Sequence, residues 1–313
     1  SGLDYNHPEF LGRLAINSAD VCGDGIDNDG NGCIDDIAGC NFVTPQSADP
    51  SCGYTRAAPN WAAWDDAGHG TVVAGVAAAA GDDGSGMAGI SWDALLLPVK
   101  VLDCTGVGRI STAAAGIRYA AERGAHIINI SLGTTRDSNV LREAVLAAQA
   151  RGALIVASAG NVPGIVTYPG AYPGVLAVGA SGYVALGSEP DYTRITAFSG
   201  NGPALDLIAP GYLVAGPLPA ALCNSPAWAC SDGPYTVTSG SSFAAAIVTG
   251  AAALLRAEHP GLSGPLLSSL LLQSLQPASD GGTKLLDVAA ALEYPLYRTH
   301  APGTARASDH ESA

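Results

Sequence analysis

The sequence predicts an α/β domain built on a mostly parallel sheet flanked by helices on both faces. Three observations predict it. From residue 88 onward, short apolar runs alternate with longer stretches of helical period, which is the order of βα units and of a sheet covered on both sides. Hydrophobic residues make up 48% of the 313-residue chain and charged residues only 13%, which suits a large buried core. No internal repeat and no linker divides the chain, so one domain over residues 1–297 is expected.

The elements follow in order. Residues 1–65 are loop-rich, and 20–65 read as an acidic, cysteine-bearing insertion. An Ala-rich helical run starts at His69. Leu95-Leu96-Leu97-Pro98-Val99-Lys100-Val101 reads as a strand, followed by a Gly turn and a helix over 110–123. Ile127-Ile128-Asn129-Ile130 is the next strand, and a second helix covers 139–151. Further strands are expected at Leu154-Ile155-Val156-Ala157, Val175-Leu176-Ala177-Val178 and Leu205-Asp206-Leu207-Ile208. The apolar run 243–255 is interrupted by Gly250 and too short to span a bilayer, so it reads as a core helix. Residues 298–313 are polar without an apolar period and are expected to be a frayed tail.

Charge and cysteines narrow the function classes. The net charge is −14 with 14 Lys and Arg and no basic cluster. Nucleic acid is therefore excluded as a partner, because phosphate neutralisation needs grouped cations. No membrane partner is expected either, and no basic segment followed by an apolar one opens the chain. None of the seven cysteines forms a Cys-x-x-Cys pair, which argues against a zinc ribbon. Their clustering in loop-like sequence points to disulfides and an oxidising compartment. Cys223 and Cys230 flank a short Pro-containing loop and are expected to pair. Cys22, Cys33, Cys40 and Cys52 should hold one or two more bridges, with three pairings possible. The odd cysteine is expected to be Cys104 or one of that loop set.

Three short stretches carry chemistry. In Gly240-Ser241-Ser242-Phe243-Ala244, Ser242 opens an apolar helix. A serine there is an ordinary N-cap, but the same place exposes its oxygen beside unpaired N–H groups that can hold an oxyanion. In Asp65-Asp66-Ala67-Gly68-His69-Gly70-Thr71-Val72-Val73-Ala74-Gly75, the glycines beside His69 let neighbouring backbone approach closely. In Ser158-Ala159-Gly160-Asn161, the asparagine is either a turn residue or an amide donor. A base, a nucleophile and an amide donor are the parts of acyl transfer. Ser131 to Gly133 and Ala159 to Asn161 both fall beyond strand ends, where ligand sites of such sheets lie.

In this order the three stretches resemble the subtilisin-like serine proteases. The family reads His-Gly-Thr-His-Val-Ala-Gly where this chain has His69 to Gly75, so Val72 departs. It reads Gly-Thr-Ser-Met-Ala, usually followed by a residue and then Pro; here Ser241, Phe243 and Ala246 differ. The resemblance runs from Ser1 to about Leu292. It implies a subtilisin-like fold and a secreted serine endopeptidase acting on polypeptide substrates as a monomer. Ser242 would be the nucleophile, His69 the general acid and base, and Asn161 an oxyanion donor. Ser131, Leu132, Gly133, Ala157, Ala159 and Gly160 would wall the primary specificity pocket. An α/β-hydrolase is excluded, since no Gly-x-Ser-x-Gly elbow exists and the histidine precedes the serine.

The resemblance places the family's catalytic aspartate immediately before Ser1, because Ser1-Gly2-Leu3-Asp4-Tyr5-Asn6-His7-Pro8-Glu9 matches the stretch that follows it. No acid is therefore assigned to Asp4, Asp65 or Asp66, and a domain lacking its first strand and impaired in activity is expected. A second signal is Asp24 to Asp36. Asp27, Asp29 and Asn31 take positions one, three and five of an EF-hand-like loop, with Gly32 at six, a spacing suited to Ca²⁺. The Cys33 carbonyl and Asp35 would complete the shell, while Ala38 stands where an EF-hand has glutamate. Similar insertions occur in some subtilisin-like enzymes. Two other functions stay open: a non-catalytic subtilisin-like binding domain, and a calcium-dependent structural domain.

Overall fold

The structure is a computed structural model and describes residues 1–54, 60–185, 188–223 and 225–294; the expected tail lies outside them. The elements run β1 (Cys40–Asn41), α1 (His69–Ala78), β2 (Val99–Lys100), α2 (Ile110–Glu122), β3 (Ile127–Ile130), α3 (Asn139–Ala150), β4 (Leu154–Ser158), β5 (Leu176–Gly182), β6 (Asp191–Ile195), β7 (Leu207–Pro210), β8 (Val214–Pro217), β9 (Tyr235–Thr238), α4 (Ser241–Glu258), α5 (Gly264–Gln273), β10 (Gln276–Pro277), β11 (Lys284–Leu285) and α6 (Val288–Glu293).

The main sheet has seven strands in the order β10-β11-β7-β5-β4-β3, with β6 also paired to β5. The pairs β3–β4, β4–β5, β5–β7 and β7–β11 are parallel, and the peripheral β5–β6 and β10–β11 are antiparallel. Strand β4 shows why both faces are covered. Leu154 and Val156 join a core with α4 and α5, while Ile155 and Ala157 join one with α2 and α3. Side chains alternate across a strand, so an all-apolar strand needs a helical layer on each side. The α/β class with helices on both faces is thus the observed fold.

Close helix packing explains the small residues. Built with a Cβ, Gly250 of α4 would sit 2.5 Å from Ile90 Cβ and 2.7 Å from the Ala77 carbonyl of α1. Gly75 of α1 would meet Pro217 at 2.1 Å. These glycines set how near α1 comes to α4 and β8. Among the described residues, no helix is long and apolar enough to cross a membrane.

The run 95–101 is shorter as a strand than its sequence implies. Only Val99 and Lys100 pair, in parallel with β1, while Leu96 makes an isolated bridge to Leu14. β1 and β2 form a separate two-stranded sheet. Between β2 and the β3 edge lies a cavity of about 740 Å³, lined by Leu97, Val99 and Val101 on one side and Ile128 and Ile130 on the other. It reaches Ser1, Gly2 and His69.

Cys223 pairs with Cys230 as expected. Cys33 pairs with Cys40, one of the open pairings. Cys52, however, pairs with Cys104, so Cys104 is not the odd cysteine; Cys22 is free and exposed. The sequence separation of Cys52 and Cys104 is 52 residues, and only the tertiary fold brings them together.

Candidate active site

Ser242 is the second residue of α4. Its N–H therefore has no acceptor inside the helix, and the positive end of the helix dipole lies around it. Its hydroxyl donates to the Ser131 carbonyl at 3.4 Å, and the Ser131 hydroxyl donates back to the Ser242 carbonyl at 2.8 Å. Ser131 is itself fixed by Asn129, whose Nδ2 donates to it at 2.9 Å. Asn129 in turn accepts from Thr249 of α4, also at 2.9 Å. The end of β3 and the start of α4 are thereby locked together.

Asn161 follows β4 through Gly160, whose φ of 90° is a left-handed value favouring glycine. The Asn161 Oδ1 accepts from both the backbone N–H and the hydroxyl of Ser241, each at 3.0 Å. With the oxygen so occupied, the amide nitrogen is turned the other way and keeps its donors. It lies beside Gly240, where a Cβ would stand 3.5 Å from it. Ser241, read from sequence only as a substitution, thus orients the amide.

His69 begins α1, and its ring centroid is 5.7 Å from that of Phe243, the residue after Ser242. Gly70 permits the approach of the chain start. A Cβ there would sit 2.2 Å from the Gly2 carbonyl, and the Gly70 N–H donates to Ser1 Oγ at 2.7 Å. The half-buried His69 ring is held down to about 4, from an ordinary 6.5, by loss of solvent and by the nearby Ser1 amino group, with Asp65 opposing. Neutral imidazole is therefore its form near pH 7, the form a general base needs.

Asp65 does not hydrogen-bond the ring. One carboxylate oxygen accepts from the N–H groups of Ala67 and Gly68, and the other from the N–H and hydroxyl of Thr71. It serves the orphan donors at the start of α1. Burial opposes its ionisation, but the Ser1 amino group and Thr71 outweigh that and keep its carboxyl below the usual range. Asp66 is bound to Lys100, whose buried Nζ donates to it at 2.7 Å and to the Ser1 carbonyl at 2.5 Å. Asp4 accepts from the N–H of Asn6. Among the described residues no carboxylate hydrogen-bonds the His69 ring.

The structure thus brings His69 of α1, Ser131 just after β3, Asn161 beyond β4 and Ser242 of α4 together. Leu132 and Gly133 continue from Ser131, and Ala159 and Gly160 precede Asn161, both pairs beyond strand ends.

The acidic loop is a separate region. Asp27 accepts from the N–H groups of Asn31 and Gly32. Asp29 accepts from Asn17 and Asn31, and Asp35 from the N–H groups of Gly23 and Gly25. The Cys33 sulfur is in a disulfide, leaving its carbonyl as donor. Among the described residues, no three acidic, histidine or cysteine side chains are gathered to hold a metal. Asp36, which the sequence reading passed over, anchors this loop. It is fully buried, ion-paired to Arg123 at 2.7 Å and hydrogen-bonded by Tyr119. Glu9 was also missed: one oxygen accepts from Met87 and Tyr235, and the buried Oε2 has no partner among the described residues. Nothing local in the sequence distinguishes a buried glutamate from a solvated one.

A profile of the subtilase family matches residues 1–290. The chain is 36% identical over 200 residues to an alkaline protease of Alkalihalobacillus alcalophilus, covering 64% of this chain and 47% of that one. It is also 36% identical over 200 residues to subtilisin Savinase of Lederbergia lenta, covering 64% and 66%. It thus spans less than two thirds of the length of either relative. Among solved structures it is similar to fervidolysin from Fervidobacterium pennivorans, a keratinolytic enzyme related to subtilisin. That match has a TM-score of 0.70 and 27% identity, and covers 94% of this chain and 41% of that one.

Proposed function

The chain belongs to the subtilase family, and from that premise we propose that it is a secreted serine endopeptidase with Ser242 as nucleophile. The observation that supports this best is the convergence at the start of α4, where Ser242, Ser131 and the Ser241-oriented Asn161 meet beside His69. Ser242 Oγ attacks the peptide carbonyl carbon while neutral His69 takes its proton. The tetrahedral oxyanion is held by the Ser242 N–H and by Asn161 Nδ2. His69 then protonates the leaving amine, and water cleaves the acyl-enzyme by the same steps in reverse. The Ser242 hydroxyl has to leave the Ser131 carbonyl for His69, and such contacts tighten when substrate binds.

His69 needs a carboxylate to orient the ring and stabilise its charged form. Both Asp65 oxygens are committed to α1. A residue joined to Ser1 would emerge beside His69, at the mouth of the cavity between β2 and β3. An aspartate joined there, on an extended apolar segment lying between the two strands, would reach the ring.

Calcium is proposed for the 27–35 loop. The donor chemistry fits a hard cation: Asp27, Asp29, the Asn31 amide, the Cys33 carbonyl and Asp35 are all oxygen donors. Burial opposes ionisation of Asp29, yet hydrogen bonds from Asn17 and Asn31 keep it charged below the usual range. The ion would tie the loop together and have no part in the peptide chemistry. The three disulfides support an extracellular setting.

Labelling with a fluorophosphonate, followed by peptide mapping, tests the nucleophile. Modification at Ser242, abolished in Ser242→Ala and weakened in His69→Ala, is expected. A folded protein that leaves Ser242 unlabelled would instead be the non-catalytic binding domain.

A further inference from the structure

His69 is presented by the turn Ala67–Gly68, which is soft by its own chemistry. Gly68 has a φ of 87°, a region that glycine enters and leaves at little cost, and it offers α1 no side-chain cap. Two groups fix the turn from outside. Asp65 accepts from the N–H groups of Ala67 and Gly68 at 3.1 and 2.9 Å. The indole Nε1–H of Trp228 donates to the Ala67 carbonyl at 2.7 Å. The Ala67 carbonyl and the Gly68 N–H belong to one peptide plane, so that plane is gripped at both ends.

The indole also packs on the turn. A Cβ on Gly68 would sit 2.9 Å from Trp228 Nε1 and 3.1 Å from its Cε2, so the ring lies against bare backbone one residue before His69. Trp228 is itself held on a short loop closed by the Cys223–Cys230 disulfide. That loop is pinned to β9, where the Thr236 hydroxyl donates to the Ala229 carbonyl at 2.8 Å and the Ser231 N–H to the Tyr235 carbonyl at 2.9 Å. β9 is the strand that precedes α4. Trp228 and both cysteines pack against an apolar cluster that includes Val72 and Val73 of α1 and Phe243, the residue after Ser242. The loop therefore bridges the base side and the nucleophile side of the site.

We propose that Trp228, carried on the Cys223–Cys230 loop, is a positioning residue that holds the Ala67–Gly68 turn and so keeps the His69 ring in reach of Ser242 Oγ. This rests on the peptidase reading and adds a residue to its machinery. Trp228 acts through the backbone before the base and not on the reacting atoms. With Asp65 alone, the peptide plane could pivot about its bonded N–H, and Gly68 would not resist the movement. Misplacing a reacting group by about 1 Å costs about 10²-fold in rate, so a small pivot at this turn is enough to matter.

The test compares the chain with three variants. Trp228→Phe keeps a ring on Gly68 and has no donor, Trp228→Ala removes both, and Cys223→Ala with Cys230→Ala keeps the indole on an open loop. The rate of fluorophosphonate labelling at Ser242, taken well below each melting temperature, reads the base. It should fall about tenfold in Trp228→Phe and about 10²-fold in Trp228→Ala, with the open loop between them. On peptide amides kcat should carry the loss while KM moves little. Histidine NMR gives a reading without turnover, with His69 assigned among the six histidines by its absence in His69→Gln. Its titration midpoint near 4 should rise towards 6.5 in Trp228→Ala as the ring gains solvent. Lost stability alone would lower the melting temperature and leave that midpoint in place. Labelling rate and midpoint both unchanged in folded Trp228→Ala would overturn the proposal with the peptidase reading intact. No labelling of Ser242 in the unaltered chain, with the midpoint still moved by Trp228→Ala, would remove the peptidase reading and keep Trp228 as the support of His69.

Discussion

The two halves of the candidate site are supported very differently. On the α4 side, Ser242 and Asn161 are held by Ser131, Asn129, Thr249 and Ser241, each through hydrogen bonds of ordinary length. On the α1 side, the His69 ring has close backbone around it and, among the described residues, no carboxylate bonded to it. The same contrast holds for the strands beneath. β4 is paired on both edges, whereas β3 faces β2 across an apolar cavity. A nucleophile at a helix start is arranged largely by its own helix and a neighbouring strand end. A base depends on a partner that must be brought from elsewhere in the fold.

The largest expected effect would remove the contrast. Joining an extended apolar segment ending in aspartate to Ser1 should raise kcat by on the order of 10⁴, the usual cost of losing the acid of such a triad. The same segment ending in asparagine should fill the cavity and stabilise the protein without that gain. If both segments activate equally, the α1 side lacks packing and not charge.

A second prediction weakens the well-supported half. Asn161→Ala should lower kcat by about 10²–10³ with KM little changed, because the lost donor acts on the oxyanion. Ser241→Ala should lower it less, since the amide remains but loses its orientation. An unaltered kcat in Asn161→Ala would mean that the amide is a turn residue only.

The third concerns pH. His69 sits near 4 when folded and near 6.5 when unfolded. Below 6.5 the unfolded chain therefore binds a proton that the folded one refuses. Its stabilising contribution is complete above about 6.5 and is lost as pH falls towards 4. Urea midpoints between pH 7 and pH 4 should show a decline that shrinks in His69→Gln. Supplying the aspartate should raise the folded value and flatten the same decline. A decline of equal size in His69→Gln would place it on other groups.

The smallest effect is expected far from the site. Excess Ca²⁺ should raise the melting temperature relative to chelator, by preferential binding to the folded state, and Asp29→Ala should shrink the difference. If Asp29→Ala leaves it intact, Glu9, whose buried Oε2 has no partner among the described residues, is the next ligand to replace. Identical melts with Ca²⁺ and with chelator would remove calcium from the account.

Much of the fold was legible because it is written in local period. The run 127–130 matches β3, and the helices expected at 110–123 and 139–151 end one residue earlier in the structure. The run 95–101 misled: Leu95 is exposed, Leu96, Leu97, Val99 and Val101 are half-buried along the cavity, and only Val99 and Lys100 pair. The antiparallel strands β6, β8 and β9 and the antiparallel pair β10–β11 were missed; they are short, and β6 is largely exposed. The glycines beside His69 and the place of Ser242 at a helix start could be read in advance because backbone conformation and helix ends have local signatures.

By itself, then, the sequence determined the alternation of strands and helices, the close-packed Ala and Gly faces, and the residue types available for acyl transfer. The physical reason is that period, turn chemistry and side-chain size act over a few residues. Only the tertiary structure decided which distant groups meet. It paired Cys52 with Cys104, committed Asp65 to the start of α1 and Asp36 to Arg123, turned Asn161 by means of Ser241, and set Trp228 against Gly68. Each of those outcomes depends on which backbone donors and empty spaces face a side chain once the layers have packed, and no short-range pattern encodes that.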